Sequence, residues 1–308
     1  MSAADMIVGG AAGVGTAEPP ASLSPAGSAP AAGRAWLRFT RSELGLVFRR
    51  RRNLALLAVV AAVPVLIGVA LRLAGHPRGG GGGGGGAAFF SQVTGNGLFL
   101  SFAALTVMLT LVLPLVIAVV SGDSIAGEAG YGTLRYLLAV PAGRTRLLLT
   151  KYLITMVFAL CATAVVTVVA VITGLALFPV GPMTLLSGTT VSLADGLLRL
   201  AFVTLYVAAA MAALGAIGLA LSTLTEHAIG AIAATAIIAV ASEVIDNVPQ
   251  FGAVHSYLPT HWWTSFDSLL RAPIATSDLL HGLLSFGVYA VIFLGLAWAR
   301  FTSGDVTC

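Results

Sequence analysis

Six long apolar runs occupy most of this chain, and they restrict the folds that it can adopt. A helix needs about 20 residues to cross the hydrocarbon core of a bilayer, and each run is close to that length. The fifth run carries Glu243 and Asp246 near one end, and the other five have no charge in their central stretch. The predicted spans are 53–71, 98–120, 152–178, 197–221, 228–247 and 281–299. The sequence therefore predicts an all-α integral membrane protein with six transmembrane helices.

The composition agrees with a membrane protein and argues against several other classes. Only 9% of the 308 residues are charged, against about 25% in a soluble domain. The net charge is +4, but its placement beside apolar runs indicates a bilayer rather than nucleic acid as the partner. The two cysteines, Cys161 and Cys308, predict neither a disulfide framework nor a thiolate metal site.

The basic residues predict the orientation in the membrane, because they concentrate on the cytoplasmic side of the spans. Twelve of the sixteen would lie on one side, and Arg72, Arg78, Arg199 and Arg271 on the other. The twelve are Arg34, Arg38, Arg41, Arg49, Arg50, Arg51, Arg52, Arg135, Arg144, Arg146, Lys151 and Arg300. We expect a multi-pass protein of the inner (plasma) membrane, with both termini and the loop 121–151 in the cytoplasm.

The ends of the chain lie outside the six-span domain, 53–299. Residues 1–33 are rich in Ala, Gly and Pro and predict a disordered tail, and residues 300–308 form a second cytoplasmic tail. Residues 34–52 predict a basic amphipathic helix in the inner interface. This segment either sets the orientation alone or also contacts a partner.

The chain lacks the phosphate-binding sequence of an ATPase. Eight consecutive glycines, Gly79–Gly86, lie in the predicted outer loop 72–97 and are typical of a flexible linker. No G-x-x-x-x-G-K-[ST] sequence occurs, and the only lysine is Lys151. The chain therefore cannot hydrolyse ATP through a Walker A loop of its own.

The polar loop 121–151 is the most informative motif. It reads Asp123-x-Ile-Ala-x-Glu128-x-x-x-Gly-Thr-Leu-x-x-Leu-Leu-x-x-Pro-x-x-Arg144, with Lys151 seven residues later. This pattern resembles the cytoplasmic loop of type-2 ABC transporter permeases, including those of multidrug, antibiotic and nitrous-oxide-reductase-associated export systems. Six spans, a basic amphipathic start and an outer segment at 248–280 also look like this family.

The resemblance implies that Gly132–Pro141 includes a coupling helix, which docks on a separate ATPase subunit. The residues fit a short helix: Gly132 allows a sharp turn, Thr133 can cap the helix, and Pro141 ends it. Apolar side chains at helical spacing form one face. The residues expected to couple to the ATPase are Gly132, Thr133, Leu134, Arg135, Leu137, Leu138 and Pro141.

Charged residues on either side of this segment are expected to support it. Asp123 and Glu128 follow the second span, and Arg144, Arg146 and Lys151 precede the third. Pairing between the two groups would tie the helical hairpin together. The alternative is that the basic residues only set the orientation and the acids only make the loop soluble.

By resemblance, the chain is the permease of an ATP-driven ABC exporter and not itself an enzyme. It would move a drug, lipid or peptide of amphipathic or hydrophobic character outward. ATP and Mg²⁺ would be bound by the partner ATPase, and a second permease copy or a sister permease would complete the transporter. The alternatives are an ion-gradient-driven secondary transporter, which would favour buried acids and broken helices, and a non-transporting membrane scaffold.

Three further patterns have structural explanations that we favour. The outer segment 248–280 carries His255, His261 and Asp267, but their spacing matches no metal motif, so we expect no metal site there. The family resemblance implies that this segment forms short re-entrant or interfacial helices. Glu243 and Asp246 are expected to be structural, with a contribution to the substrate exit path as the alternative.

Alanines at every fourth position of the fourth span (Ala208, Ala212, Ala216 and Ala220) favour close packing within the subunit over a dimer contact.

Overall fold

The computed structural model describes residues 32–74, 92–93, 95–130, 144–185 and 187–303. The chain divides into two compact units, Met1–Phe39 and Thr40–Cys308. In the first unit, only the beginning of helix α1 is described. Most of the predicted N-terminal tail, the polyglycine run, the predicted coupling helix and residues 304–308 of the C-terminal tail lie outside the described residues.

Nine α-helices make up most of the described chain. They are α1 Ala32–Arg49, α2 Arg51–Ala74, α3 Phe99–Thr110, α4 Val112–Gly130, α5 Arg144–Leu177, α6 Leu193–Leu224, α7 Ala228–Asp246, α8 Gly252–His255 and α9 Thr276–Ser303. Six of them, α2, α4, α5, α6, α7 and α9, are long and apolar enough to cross a membrane. The prediction of an all-α membrane protein with six spans is confirmed at this level.

The predicted second span, 98–120, is not one continuous helix. It contains α3 and the first part of α4, because the backbone leaves the helical conformation at Leu111 (φ −148°, ψ −49°). Pro114 then lies in the first turn of α4, where the missing N–H of proline costs no helical hydrogen bond. Because α4 continues to Gly130 and α5 begins at Arg144, the connection between them is shorter than the predicted loop 121–151.

Helix α6 forms the centre of the bundle. It packs against α4, α5, α7 and α9. In its most apolar stretch, 78% is buried inside the protein, the largest share among the six spans. The alanines at every fourth position (Ala208, Ala212, Ala216 and Ala220) are all buried. Such small side chains let neighbouring helices approach closely, and their burial confirms packing within the subunit.

A short β-hairpin and the segment 248–280 lie at the end of the bundle that is far from Lys151. A short antiparallel hairpin pairs β1, Met183–Thr184, with β2, Thr190–Val191, which the sequence did not predict. Within the predicted segment 248–280, Trp263, Phe266 and Leu270 are buried in the main hydrophobic core. This segment is therefore packed onto the bundle through its aromatic and apolar side chains.

Candidate functional site

Lys151 is a buried cation between two carboxylates. Its side chain is only 8% exposed and lies two turns inside α5. The Nζ atom donates to Oε2 of Glu43 in α1, at 2.7 Å, and to Oε1 of Glu128 near the end of α4. We call Glu43, Glu128 and Lys151 the Lys151 cluster. It joins three helices through one ammonium group.

Burial makes the contacts of the Lys151 cluster energetically important. The side chains of Glu43 and Glu128 are 13% and 15% exposed. A charge removed from water is tolerated in a protein when hydrogen bonds and opposite charges compensate for the lost hydration. The two carboxylates and the ammonium group therefore depend on each other, and loss of the cation would leave two acids without their shared counter-ion.

Asp123 forms a second cluster with the arginines that begin the first span. Its Oδ2 atom accepts hydrogen bonds from Arg50 at 3.0 Å and from Arg52 at 2.6 Å. The Asp123 side chain is 11% exposed, whereas the two arginine side chains are about half exposed. We call these three residues the Asp123 cluster. It fixes the start of α2 against α4, whereas the sequence suggested a partner near the start of α5.

Arg144 connects the start of α5 to the end of the last helix. Its Nη1 atom donates to the carbonyl oxygen of Thr302, at 3.1 Å. One residue later, Thr145 accepts a hydrogen bond from the indole of Trp298, at 3.0 Å. Arg144 therefore binds α9 in the structure, while Arg146 is exposed.

The predicted coupling residues lie between these contacts in the sequence, but outside the described part of the chain. Residues 131–143 connect the end of α4 to the start of α5. Of the eleven predicted site residues, the structure therefore describes four: Asp123, Glu128, Arg144 and Lys151. It brings Glu128 and Lys151 together, and it pairs Asp123 and Arg144 with other elements.

Three residues of the two clusters were not among the predicted site residues. The sequence indicates only an orientation role for Arg50 and Arg52, and their run of four arginines does not show which of them contact Asp123. Glu43 is not among the predicted site residues. One signal could have found it, since Glu43 is the only acid among seven arginines between residues 34 and 52.

At the opposite end of the bundle, polar contacts hold the segment that follows α7. The Nδ1 atom of His261 lies 2.6 Å from Oδ1 of Asp246, the last residue of α7. Tyr206 in α6 donates to the carbonyl oxygen of Trp262, at 2.7 Å, and the Trp262 and His281 rings are stacked. Asp246 thus has a structural contact, as favoured from the sequence.

The described residues include no candidate metal centre, and the threonine hydroxyls of α5 make hydrogen bonds within the bundle. Among the described residues, no group of three or more His, Cys, Asp or Glu side chains could hold a metal ion. Thr155 and Thr163 donate to carbonyls of their own helix, as hydroxyls in apolar helices commonly do. Thr167 and Thr204 share one hydrogen bond between α5 and α6, at 2.9 Å.

One family of known proteins matches a large part of this chain. A family described as ABC-2 family transporter protein matches residues 49–242, well over half of the 308 residues. The match includes the Asp123 cluster, Lys151, four of the six spans in full and most of a fifth. A search of curated proteins finds no match to the sequence. The chain belongs to the ABC-2 family of transporter membrane proteins.

Proposed function

We propose that this chain is the permease subunit of an ATP-driven exporter and that a separate ATPase docks on residues 131–143. Membership of the ABC-2 family supports a transport role and an ATPase partner. The outward direction of transport and a drug, lipid or peptide cargo follow only from the resemblance of the 123–151 motif.

The observation that carries this proposal is the pair of ion clusters beside the connection. Glu128 lies two residues before the end of α4, and Lys151 lies seven residues after the start of α5. Their contact ties together the two helices from which residues 131–143 extend. Breaking a buried ion pair is strongly destabilising, so this contact would keep the ends of α4 and α5 together when residues 131–143 move.

The proposed mechanism assigns separate tasks to the two kinds of residue. ATP binding closes a pair of ATPase subunits, and residues 132–141 move with the groove in which they dock. The apolar side chains Leu134, Leu137 and Leu138 would fill that groove. The Lys151 cluster would then carry the displacement to α1, α4 and α5 together, rather than to one helix.

The assembly and orientation complete the proposal. Two permease copies, or this chain with a sister permease, would pair with two ATPases in the plasma membrane. The termini and residues 131–143 would face the cytoplasm, where ATP is available. Helix α1 would lie in the inner interface, with Arg38 and Arg41 towards lipid headgroups or water.

A matched pair of substitutions tests the docking segment. Leu138→Asp would put a charge on the proposed apolar face, whereas Ala139→Asp would put the same charge on the opposite face of the helix. The tagged permease is purified from membranes after co-expression with the ABC ATPase encoded beside it. We expect Leu138→Asp to reduce the co-purified ATPase at least tenfold and Ala139→Asp to reduce it little.

The amount of permease in the membrane provides the control, because both variants must insert equally. Equal recovery of the ATPase with both variants would show that this face does not dock. Absence of any ATPase from the wild-type preparation would contradict the proposed function itself.

A further inference from the structure

Ser222 makes an unusual set of contacts between two transmembrane helices. It lies two residues before the end of α6 and is 1% exposed. Its Oγ atom accepts hydrogen bonds from the backbone N–H groups of Ile125, at 3.1 Å, and Ala126, at 2.8 Å. The same hydroxyl donates to the carbonyl oxygen of Gly122, at 2.8 Å. We call these four residues the Ser222 joint.

The backbone groups in this joint belong to one turn of α4. The Gly122 carbonyl and the Ala126 N–H are four residues apart, the spacing of a helical hydrogen bond. A serine or threonine in an apolar helix usually bonds to its own backbone, and Ser121 and Thr223 do so here. Ser222 instead bonds to the backbone of a different helix, so that α6 holds this turn of α4 directly.

Helix α7 holds the same turn from another side. A Cβ atom at Gly122 would lie 2.8 Å from the backbone nitrogen of Ile232 and 3.0 Å from its Cα. Real Cβ atoms do not approach backbone so closely, and α4 and α7 are therefore in backbone contact at this point. The turn 122–126 cannot shift without moving α6, α7 or both.

The joint lies close to the connection between α4 and α5. Ala126 is four residues before Gly130, where α4 ends, and Glu128 of the Lys151 cluster lies between them. A displacement of residues 131–143 that travels through α4 passes along this last part of the helix; a second route runs through α5, which also packs against α6. On the α4 route, Ser222 provides hydrogen bonds from α6 at that level.

We propose that Ser222 is a positioning residue for transport: it passes the movement of residues 131–143 from α4 to α6. The inference rests on the proposed function, because it needs an ATPase that moves this segment. A tight packing contact resists only approach, whereas three hydrogen bonds resist both approach and separation. The Ser222 joint can therefore transmit movement in either direction.

The chain offers a matched control. Ser222→Ala removes the hydroxyl that bridges α6 and α4. Thr223→Ala removes the neighbouring hydroxyl, which donates to the Ala220 carbonyl of its own helix, at 2.7 Å. Both variants lose one hydroxyl at the same end of α6. If Ser222→Ala does not fold, Ser222→Cys retains the size of the side chain with a weaker hydrogen-bonding group.

Hydrogen–deuterium exchange of the permease–ATPase complex in lipid nanodiscs provides the measurement. Without nucleotide, we expect the Ile125 and Ala126 amides to exchange about tenfold faster in Ser222→Ala than in wild type or Thr223→Ala. With ATP and vanadate, exchange in wild type should change both at residues 131–143 and at residues 219–224 of α6. In Ser222→Ala, we expect the change at 131–143 to persist and the change at 219–224 to be reduced.

Each contrary result has a distinct meaning. Equal exchange at Ile125 and Ala126 in wild type and Ser222→Ala would overturn the hydrogen-bonding role of Ser222. Faster exchange with an unaltered nucleotide response at 219–224 would overturn the transmission role. No nucleotide response at 131–143 in wild type would overturn the proposed function itself, and with it the transmission role.

Discussion

The Nζ atom of Lys151 lies 2.7 Å from Oε2 of Glu43, although the two residues are 108 positions apart. Glu43 lies in α1, before the first span, and Lys151 lies in the third span. Because Lys151 also binds Glu128, the helix before the membrane and the two helices flanking residues 131–143 share one buried cation. This relationship makes α1 part of the proposed coupling structure.

Removal of the shared cation is expected to be strongly destabilising. In Lys151→Met, Glu43 and Glu128 would remain buried without their counter-ion, at a cost of about 3–5 kcal/mol. Thermal unfolding of the purified permease should show a large decrease in the midpoint temperature. Lys151→Arg keeps the charge and should be less affected. Adding Glu43→Gln and Glu128→Gln to Lys151→Met should recover part of the lost stability, because no buried carboxylate would then need a counter-ion. An unchanged midpoint temperature in Lys151→Met would contradict the stabilising role of the Lys151 cluster.

The six spans could be predicted from sequence because their signal is local. A run of about 20 apolar residues is sufficient to identify a span, whatever its neighbours. The break at Leu111 was not predicted, because apolar residues continue on both sides of it and Pro114 is compatible with the first turn of a helix. Hydropathy measures the length of a span, but it does not detect a break in the helix within it.

The charged contacts were only partly predictable, because they depend on how distant helices pack. The order of charges around the connection suggests that Asp123 and Glu128 pair with basic residues at the start of the third span, and the structure pairs Glu128 with Lys151. Asp123 binds Arg50 and Arg52, which are more than 70 residues away in sequence. Ser222 looked like any small polar residue in an apolar helix, and only the packing of α6 on α4 gives it a distinct role.

The contact between Asp246 and His261 should contribute less than the Lys151 cluster. Their side chains are 20% and 29% exposed, so that water competes for both groups. We expect Asp246→Asn to lower the free energy of unfolding by about 1 kcal/mol or less. Thermal unfolding of Asp246→Asn, His261→Gln and the double variant would give the coupling energy. A loss as large as that of Lys151→Met would contradict this ranking.

The close approach of Gly97 and Gly174 predicts a strong effect of one added methyl group. A Cβ atom at Gly97 would lie 2.2 Å from the carbonyl oxygen of Gly174, a backbone atom that cannot rotate away. Gly97→Ala should therefore cost about 1–3 kcal/mol or more through overpacking. Gly181→Ala is the control, because nothing lies within 4 Å of its added Cβ. Equal unfolding midpoints for both variants would contradict the contact.

The orientation can be tested with single cysteines at the two ends of α6. After replacement of Cys161 and Cys308, Thr189→Cys and Glu226→Cys each place one thiol at an exposed position beyond an end of this helix. The distribution of basic residues predicts that Thr189 is outside and Glu226 inside the cell. A membrane-impermeant maleimide should label Thr189→Cys in intact cells and Glu226→Cys only after permeabilisation. The reverse pattern would place residues 131–143 outside, away from ATP, and would exclude their docking on a cytoplasmic ATPase.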